Sequence, residues 1–176
     1  MHNLHRRLHM QSTDRSTGEN SKKILISAIV TGQAAGLIMA VVVIIVFVLF
    51  LGKAPLYPVQ VIGSTVFGQA ALEGTHFGAV IAGLLIHQLG PSLGWGILFG
   101  VIAINFPIET TKKALVLGLV VGCISMVGPY VLVPYLMTTL HGVDFWNQEV
   151  PMLWDWAAHL VFGASFALYP TIKAKI

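Results

Sequence analysis

Residues 24–51 contain no aspartate, glutamate, lysine or arginine, and almost all of their side chains are apolar. A helix needs about 20 consecutive apolar residues to cross the hydrocarbon core of a bilayer. Lys22 and Lys23 precede the run and Lys53 follows it, as basic residues often do at the ends of membrane helices. The run is too long for the core of a signal peptide, and the segment GKAPLYP after it offers no small-residue cleavage site. We therefore expect a retained transmembrane helix.

The composition extends this requirement to the whole chain. Of its 176 residues, 56% are hydrophobic and 10% are charged. Soluble domains average about 45–50% apolar and about 25% charged residues. Because so few charged residues cannot cover a water-facing surface, lipid must be the main solvent. The basic residues flank apolar runs rather than forming a nucleic-acid footprint, and the single cysteine, Cys123, supports neither an intrachain disulfide nor a metal cluster.

Three further apolar runs follow the first. The sequence therefore predicts an all-α fold, a polytopic transmembrane helix bundle, with helices at about residues 24–51, 77–106, 114–140 and 152–169. We expect residues 24–176 to form one transmembrane domain and the polar, basic residues 1–23 to form a largely disordered cytoplasmic tail. Between the first two helices, a loop with a short interfacial helix around residues 61–72 is predicted.

The number of crossings is the open point of this topology. Four spans are favoured. Five would result if the second helix broke at the Gly-Pro-Ser segment of residues 90–92, and six if residues 58–72 also crossed. With the N-terminus in the cytoplasm, an even number of spans satisfies the positive-inside rule, because four lysines then face the cytoplasm too. Those lysines are Lys112, Lys113, Lys173 and Lys175. Both termini are therefore expected to be cytoplasmic.

Glycines four residues apart recur in the predicted helices, and such pairs lie on one helix face. In lipid, helices associate through close backbone packing rather than through the hydrophobic effect. The first and third helices carry GQAAGLIM and GLVVGCISM, and the second and fourth place a histidine before small residues, which indicates a weak internal repeat. The candidate packing residues are Gly32, Gly36, Gly90, Gly94, Gly96, Gly100, Gly118, Gly122 and Gly163.

Two histidines, His87 and His159, fall inside predicted helices. In the four-span arrangement they lie at matching depth on different helices, where two imidazoles could ligate one haem b iron axially or hold a pigment. The other interpretation, which we favour, is a neutral histidine that hydrogen-bonds a carbonyl or hydroxyl across the bundle.

Two acid–histidine pairs stand out at helical spacing. Glu73 and His76 are three residues apart, and Asp155 and His159 are four apart. Each carboxylate could fix the tautomer of a ligating or proton-carrying imidazole. The favoured interpretation is a polar pair that closes a helix start at the outer interface. No catalytic motif and no metal site are predicted.

Two segments carry a resemblance to known proteins. With LLIHQLGPSLGWGILFG in the second helix and AAHLVFGASFALYP in the last, the chain resembles a diffuse group of small uncharacterised bacterial four-helix integral membrane proteins. The resemblance covers about residues 24–170. It implies a four-helix fold and residence in the bacterial inner membrane, and it implies no activity.

The chain has many helix-packing faces and no recognisable set of catalytic residues, which favours a protein without catalysis of its own. We expect an accessory or assembly subunit of a larger membrane complex, or a self-associating bundle, whose partners are the bilayer and other membrane subunits or itself, with no nucleic acid and no cofactor. The first alternative is a haem- or pigment-binding electron-transfer subunit that uses His87 and His159. The second is a small proton-coupled transporter that uses Glu73, Asp155 and the histidines.

Overall fold

The computed structural model describes the backbone of residues 2–176, together with the side-chain surroundings of residue 18 and of residues 20–176. Every regular element in that part of the chain is helical, so the predicted all-α class is confirmed. The predicted disordered tail falls mostly on residues whose side chains lie outside the described ones, and it stays a prediction. The helices are α1 (His2–Phe50), α2 (Tyr57–Phe67), α3 (Phe77–His87), α4 (Leu93–Asn105), α5 (Thr111–Ser125), α6 (Val133–His141), α7 (Phe145–Glu149), α8 (Met152–Ser165) and α9 (Tyr169–Lys175).

Three helical stretches of the described chain are long and apolar enough to cross a membrane. They correspond to three of the four predicted helices, with ends shifted by up to four residues. Their bounds are Asn20–Phe50, Phe77–Asn105 and Thr111–His141.

The fourth predicted helix, residues 152–169, corresponds to α8, a short 3₁₀ turn and the start of α9. It runs the length of the bundle. Near its beginning Trp154 packs on Phe50, with ring centroids 4.9 Å apart, and near its end Tyr169 packs on Phe99 at 5.1 Å. The last predicted helix therefore contacts α1 near its beginning and α4 near its end, and it is not among the three stretches that are long and apolar enough to cross a membrane.

Two of the long helices contain a π-helical turn with a Gly-Pro pair. The turn Gln88–Ser92 joins α3 to α4 and contains Pro91, and the turn Gly128–Leu132 precedes α6 and contains Pro129. Proline has no N–H and crowds the carbonyl four residues earlier, and the wider π turn accommodates this. The Ser92 hydroxyl donates to the His87 carbonyl at 2.9 Å, which is the carbonyl that Pro91 leaves without its usual donor. The second apolar run is thus one helix and does not break at Gly-Pro-Ser.

Glycines bring α1 against α4. A β-carbon added at Gly32 would lie 2.6 Å from the Ser92 carbonyl oxygen and 2.8 Å from Gly96 Cα, and one at Gly100 would lie 2.9 Å from Ala28 Cβ. At Gly36 it would collide with the Ser92 hydroxyl. Only residues without a side chain allow this approach of the two backbones.

The second pair of helices, α5 and α8, packs in the same way. A β-carbon at Gly122 would lie 2.5 Å from the His159 carbonyl oxygen and 3.1 Å from Gly163 Cα. Gly118 and Gly163 each face the other's carbonyl oxygen. The structure therefore brings these three glycines into one interhelical contact.

Gly90 and Gly94 lie elsewhere than the glycine spacing predicts. A β-carbon at either would meet nothing within 4 Å. They are offset by two residues from Ser92 and Gly96, and two residues along a helix correspond to about 200°, the opposite face. The interhelical face of this helix is thus formed by Ser92, Gly96 and Gly100.

The short helix between the first two spans has other bounds than predicted. It begins at Tyr57, with proline in its first turn, and ends at Phe67, because Gly68 adopts a positive φ of 59°. It packs antiparallel on α3, with Gly63 against the Ala79 backbone. Inside this hairpin, Gln60 Nε2 donates to the carbonyls of Ala71 at 2.6 Å and Gly74 at 2.8 Å.

Candidate functional site

A cavity of about 390 Å³ lies in the middle of the bundle, between the two π-helical turns. Most of its walls are apolar. The polar side chains at its surface include those of His87, Ser92, Ser125 and His159. The two Gly-Pro pairs and the indoles of Trp95 and Trp146 complete the central part of the lining.

The cavity opens sideways, toward the outer surface of the bundle. Val127 and Leu132 line it and are also 50% and 57% exposed on that surface. Gly90 and Pro91, which line the opposite wall, are exposed as well. The gap between the two π turns thus connects the cavity with whatever surrounds the helices.

His159 is held by Asp155 of its own helix, α8, and Asp155 is in turn held by Trp146 of α7. It is buried, and its Nδ1 lies 2.9 Å from the carbonyl oxygen of Asp155 and 3.1 Å from Oδ1 of the same residue. The other carboxylate oxygen of Asp155 accepts a hydrogen bond from Trp146 Nε1 at 3.2 Å. The predicted Asp155–His159 pair is therefore formed, and it lies inside the bundle, where Asp155 is only 5% exposed.

His87 is held by a second network that joins α1 to the first π turn. Its Nδ1 lies 3.2 Å from the amide oxygen of Gln88. The amide nitrogen of Gln88 donates to the Gln33 carbonyl at 3.4 Å, and Gln33 Nε2 donates back to the Gln88 carbonyl at 2.9 Å. This reciprocal pair fixes the orientation of the Gln88 amide and hence its contact with His87.

A smaller cavity, of about 60 Å³, lies beside the first and shares the side chains of His87 and Trp146 with it. Asp155 and Trp154 also line it. His87 therefore lies between the two spaces.

At the end of the bundle where α1 ends, Lys53 Nζ forms an ion pair with Glu149 Oε2 at 3.0 Å and lies 4.4 Å from the centre of the Tyr57 ring. The hydrogen bond to Glu149 raises the pKa of Lys53 above its ordinary value of 10.5, so this lysine stays charged at neutral pH. Burial is the main cause that raises the pKa of Tyr57. The pair ties the segment after α1 to α7.

The other predicted acid–histidine pair is not joined. His76 caps α3, because its Nδ1 accepts a hydrogen bond from the Ala79 N–H at 3.0 Å. Glu73 is exposed, and no ion pair joins it to His76 among the described residues. The interfacial helix start is thus closed by the histidine alone.

Sequence inspection missed the residues that hold the two imidazoles. Gln33 and Gln88 are the only glutamines within the two apolar runs that form α1 and α3–α4, which is a signal that could have singled them out. The second Gly-Pro pair, Gly128-Pro129, repeats the first and could have indicated a shared site. Trp146 carries no such signal, because its partner Asp155 is nine residues away.

Comparison of the chain with protein-family models, curated proteins and solved structures found no match. Within the described residues, no group of three or more histidine, cysteine, aspartate or glutamate side chains is arranged to hold a metal ion. The chemistry of the site therefore rests on the cavity, the two imidazoles and the networks behind them.

Proposed function

We propose that this protein is an integral membrane helix bundle that binds a small, largely apolar molecule within the bilayer. The observation that carries the proposal is the cavity of about 390 Å³ between the Gly-Pro-interrupted helices, with His87 and His159 at its surface. Its volume falls within the range of about 300–1,000 Å³ typical of small-molecule sites.

Three features of the site support binding over a purely structural role. Interrupted helices at corresponding positions are a common way to build binding sites near the bilayer midplane. π-helical turns occur frequently at functional sites. Ionisable side chains inside a membrane domain are costly, and those present usually serve the pathway or ligand. Here Asp155 and His159 are both buried and paired with each other.

The test is a cavity-filling substitution with a matched control. Val133 lines the cavity, so Val133→Trp places an indole inside it. Val131 is 60% exposed and is not part of the lining, so Val131→Trp adds the same side chain on the outer surface. Both variants and the wild type are purified in gentle detergent, checked for helix content and size, and extracted for mass spectrometry of small molecules.

We expect an apolar molecule that accompanies the wild type and the Val131 variant and is lost from the Val133 variant. Equal amounts of every extracted molecule in all three folded proteins would contradict the proposal. The accessory, assembly or self-associating role expected from the sequence stays a prediction beside this one, since a ligand-binding subunit can also belong to a larger complex.

A second candidate function, proton-coupled transport, is favoured by one observation. The buried carboxylate of Asp155 bridges Trp146 and His159, and paired acids and imidazoles of this kind carry protons in pumps and transporters. In the transporter hypothesis Glu73 was a further proton carrier. Its exposed position outside both cavities leaves that role to Asp155 and the histidines.

A further inference from the structure

His159 presents an unused hydrogen-bond acceptor to the cavity. Its Nδ1 lies 2.9 Å from the Asp155 carbonyl oxygen, which can only accept a hydrogen bond, and 3.1 Å from a carboxylate oxygen of the same residue. Nδ1 therefore carries the ring proton, and in the neutral imidazole Nε2 carries a lone pair. Within the described residues, no group donates a hydrogen bond to this Nε2.

The lone pair of Nε2 can be reached from the cavity. His159 is 9% exposed, and it lines the larger cavity but not the smaller one. Among the described polar side-chain atoms that are completely enclosed, the Tyr130 hydroxyl is the one without a partner. Nε2 of His159 is thus unpaired without being enclosed, so it faces open space, and that space is the cavity. An unpaired polar atom among apolar walls favours a ligand that pairs with it.

The other polar groups of the lining narrow the chemistry of that ligand. The hydroxyls of Ser92 and Ser125 already donate to backbone carbonyls, at 2.9 and 2.7 Å, and the Trp146 indole donates to a carboxylate at 3.2 Å. Of the described lining residues, Trp95 and Thr65 keep a side-chain donor without a partner. A ligand hydroxyl fits this set best, because it donates to the imidazole and can still accept from either of them. A carbonyl would leave the imidazole unpaired.

The walls of the cavity indicate what carries the hydroxyl. The aromatic rings of Trp95, Trp146 and Phe162 line it, and aromatic rings pack favourably on one another. A dry cavity of about 150 Å³ already accepts benzene, so the 390 Å³ of this one hold a substituted single ring. Among the described residues of the lining there is no lysine or arginine, which argues against a phosphate or carboxylate head.

The sideways opening accounts for the rest of the molecule. Its rim is apolar and faces the surroundings of the helices, so an aliphatic chain attached to the ring can extend into lipid. We infer that the ligand of the cavity is a lipid-soluble phenol or hydroquinone, whose ring hydroxyl donates a hydrogen bond to Nε2 of His159 and whose aliphatic tail leaves through the opening. This inference rests on the proposed function, because both use the same cavity.

The wild-type protein tests the hydroxyl without any change to the fold. Two probes, para-decylphenol and para-decylfluorobenzene, share ring and tail and differ in one substituent, since fluorine is close to a hydroxyl in size but has no proton to donate. Each probe is titrated into lipid nanodiscs that hold the full chain and into empty discs of the same lipid. The excess bound to the protein is measured by mass spectrometry and expressed per lipid.

We expect the phenol to bind saturably, with a single molecule per chain. Its mole fraction in the lipid at half-saturation should be about 3- to 30-fold lower than that of the fluorinated probe, the factor that corresponds to one hydrogen bond in a membrane. In wild-type protein labelled with ¹⁵N in its histidines, the phenol should also shift the signal of an unprotonated ring nitrogen, and the fluorinated probe should not.

His159→Phe assigns the acceptor, because it keeps a ring in the cavity and removes the lone pair. In the folded fraction of this variant, isolated by size-exclusion chromatography, the two probes should bind equally. His141→Gln is the matched control and should keep the preference for the phenol, because His141 lies outside both cavities and its Nε2 contacts the Thr65 carbonyl at 3.0 Å, a contact that a glutamine amide can replace. Where His159→Phe yields no folded protein, the wild-type comparison and the ¹⁵N shift decide.

The outcomes separate the two proposals. Equal binding of the two probes to the wild type, no saturable binding of the phenol, no ¹⁵N shift, or a preference that survives His159→Phe each overturns the phenol inference. If an apolar molecule is then still lost from the Val133→Trp variant, the cavity binds a ligand of another class and the proposed function stands. If neither probe binds and no molecule distinguishes Val133→Trp from Val131→Trp, both proposals fail.

Discussion

The reciprocal amide pair of Gln33 and Gln88 is half-buried between apolar helices, where lipid offers no water to replace a lost hydrogen bond. Each amide donates to the other residue's carbonyl, and Gln88 also faces His87 and Ser92. The pair thus does two things at once, since it joins α1 to the first π turn and fixes one imidazole.

At this scale we predict the effect of Gln88→Leu. The substitution removes the hydrogen bond from the Gln88 amide to the Gln33 carbonyl and leaves the His87 ring nitrogen without its partner. We expect the free energy of unfolding in micelles to fall by about 0.6–2 kcal/mol, the range measured for interhelical hydrogen bonds in membranes. Gln69→Leu is the control, because Gln69 is exposed outside the bundle core. Equal stability of the two variants would show that the amide pair contributes nothing.

The residues also show what could be foreseen. The Asp155–His159 contact follows from a spacing of four on a helix, so the sequence predicts it directly. The contacts of His87 could not be predicted, because its network joins residues 55 positions apart and depends on how α1 meets the π turn. Glu73 and His76 failed to pair because the histidine ring caps the helix instead.

At the scale of elements, the glycines four residues apart show which helix faces can be predicted from spacing and which cannot. The pattern identifies a tight face on α1, α5 and α8, where Gly32, Gly118, Gly122 and Gly163 meet the backbone of a neighbouring helix and Gly36 meets the Ser92 side chain. On the α3–α4 helix it identifies two faces at once, and of the four glycines in the pattern, Gly96 and Gly100 lie at an interface while Gly90 and Gly94 do not. Spacing alone gives the angle between residues and leaves open which face a partner covers.

The matching prediction compares Gly122→Leu with Gly94→Leu. At Gly122 the new side chain meets the His159 carbonyl, so α5 and α8 must separate, and overpacking of this kind costs about 1–3 kcal/mol or more. Gly94 faces open space, so leucine there should be tolerated. The measurement is the yield of monodisperse protein by fluorescence-detected size-exclusion chromatography. Similar losses at both sites would mean that the α5–α8 contact does not hold the bundle together.

For the whole molecule, the ends of the bundle carry different charges. Lys53, Asp144 and Glu149 lie at one end, where Lys53 and Glu149 pair. The other end holds lysines from three helices, which are Lys22 and Lys23 of α1, Lys112 and Lys113 of α5, and Lys173 and Lys175 of α9. The four-span topology with both termini in the cytoplasm, in the bacterial inner membrane, remains our proposal, and the positive-inside rule supports it.

This topology predicts opposite accessibility for two loops. In a Cys123→Ser background, a cysteine introduced at Thr111 should react with a membrane-impermeant maleimide only from the cytoplasmic side, and one at Asn147 only from the other side. Both positions are exposed, so burial does not protect them. Labelling of both positions from the same side would exclude the four-span and six-span arrangements together.

The helices and their order could be predicted from the sequence, because charge-free runs of this length have few alternatives in lipid. The cavity could not be predicted, since it arises where two helices far apart in the chain place their Gly-Pro turns opposite each other. Each Gly-Pro pair in the sequence predicts one turn by itself and does not show that the two turns face each other. Only the packing of α1, α4, α5 and α8 sets the distance between them.

Because the cavity opens sideways, the ligand concentration that matters is the one in the bilayer. A molecule that enters between Val127 and Leu132 on one wall and Gly90 and Pro91 on the other arrives from the lipid rather than from water. Occupancy is then governed by the mole fraction of the molecule dissolved in the bilayer. Added lipid should therefore dilute the ligand. The ligand concentration at half-saturation should rise when it is expressed per volume of solution and stay constant when it is expressed per lipid.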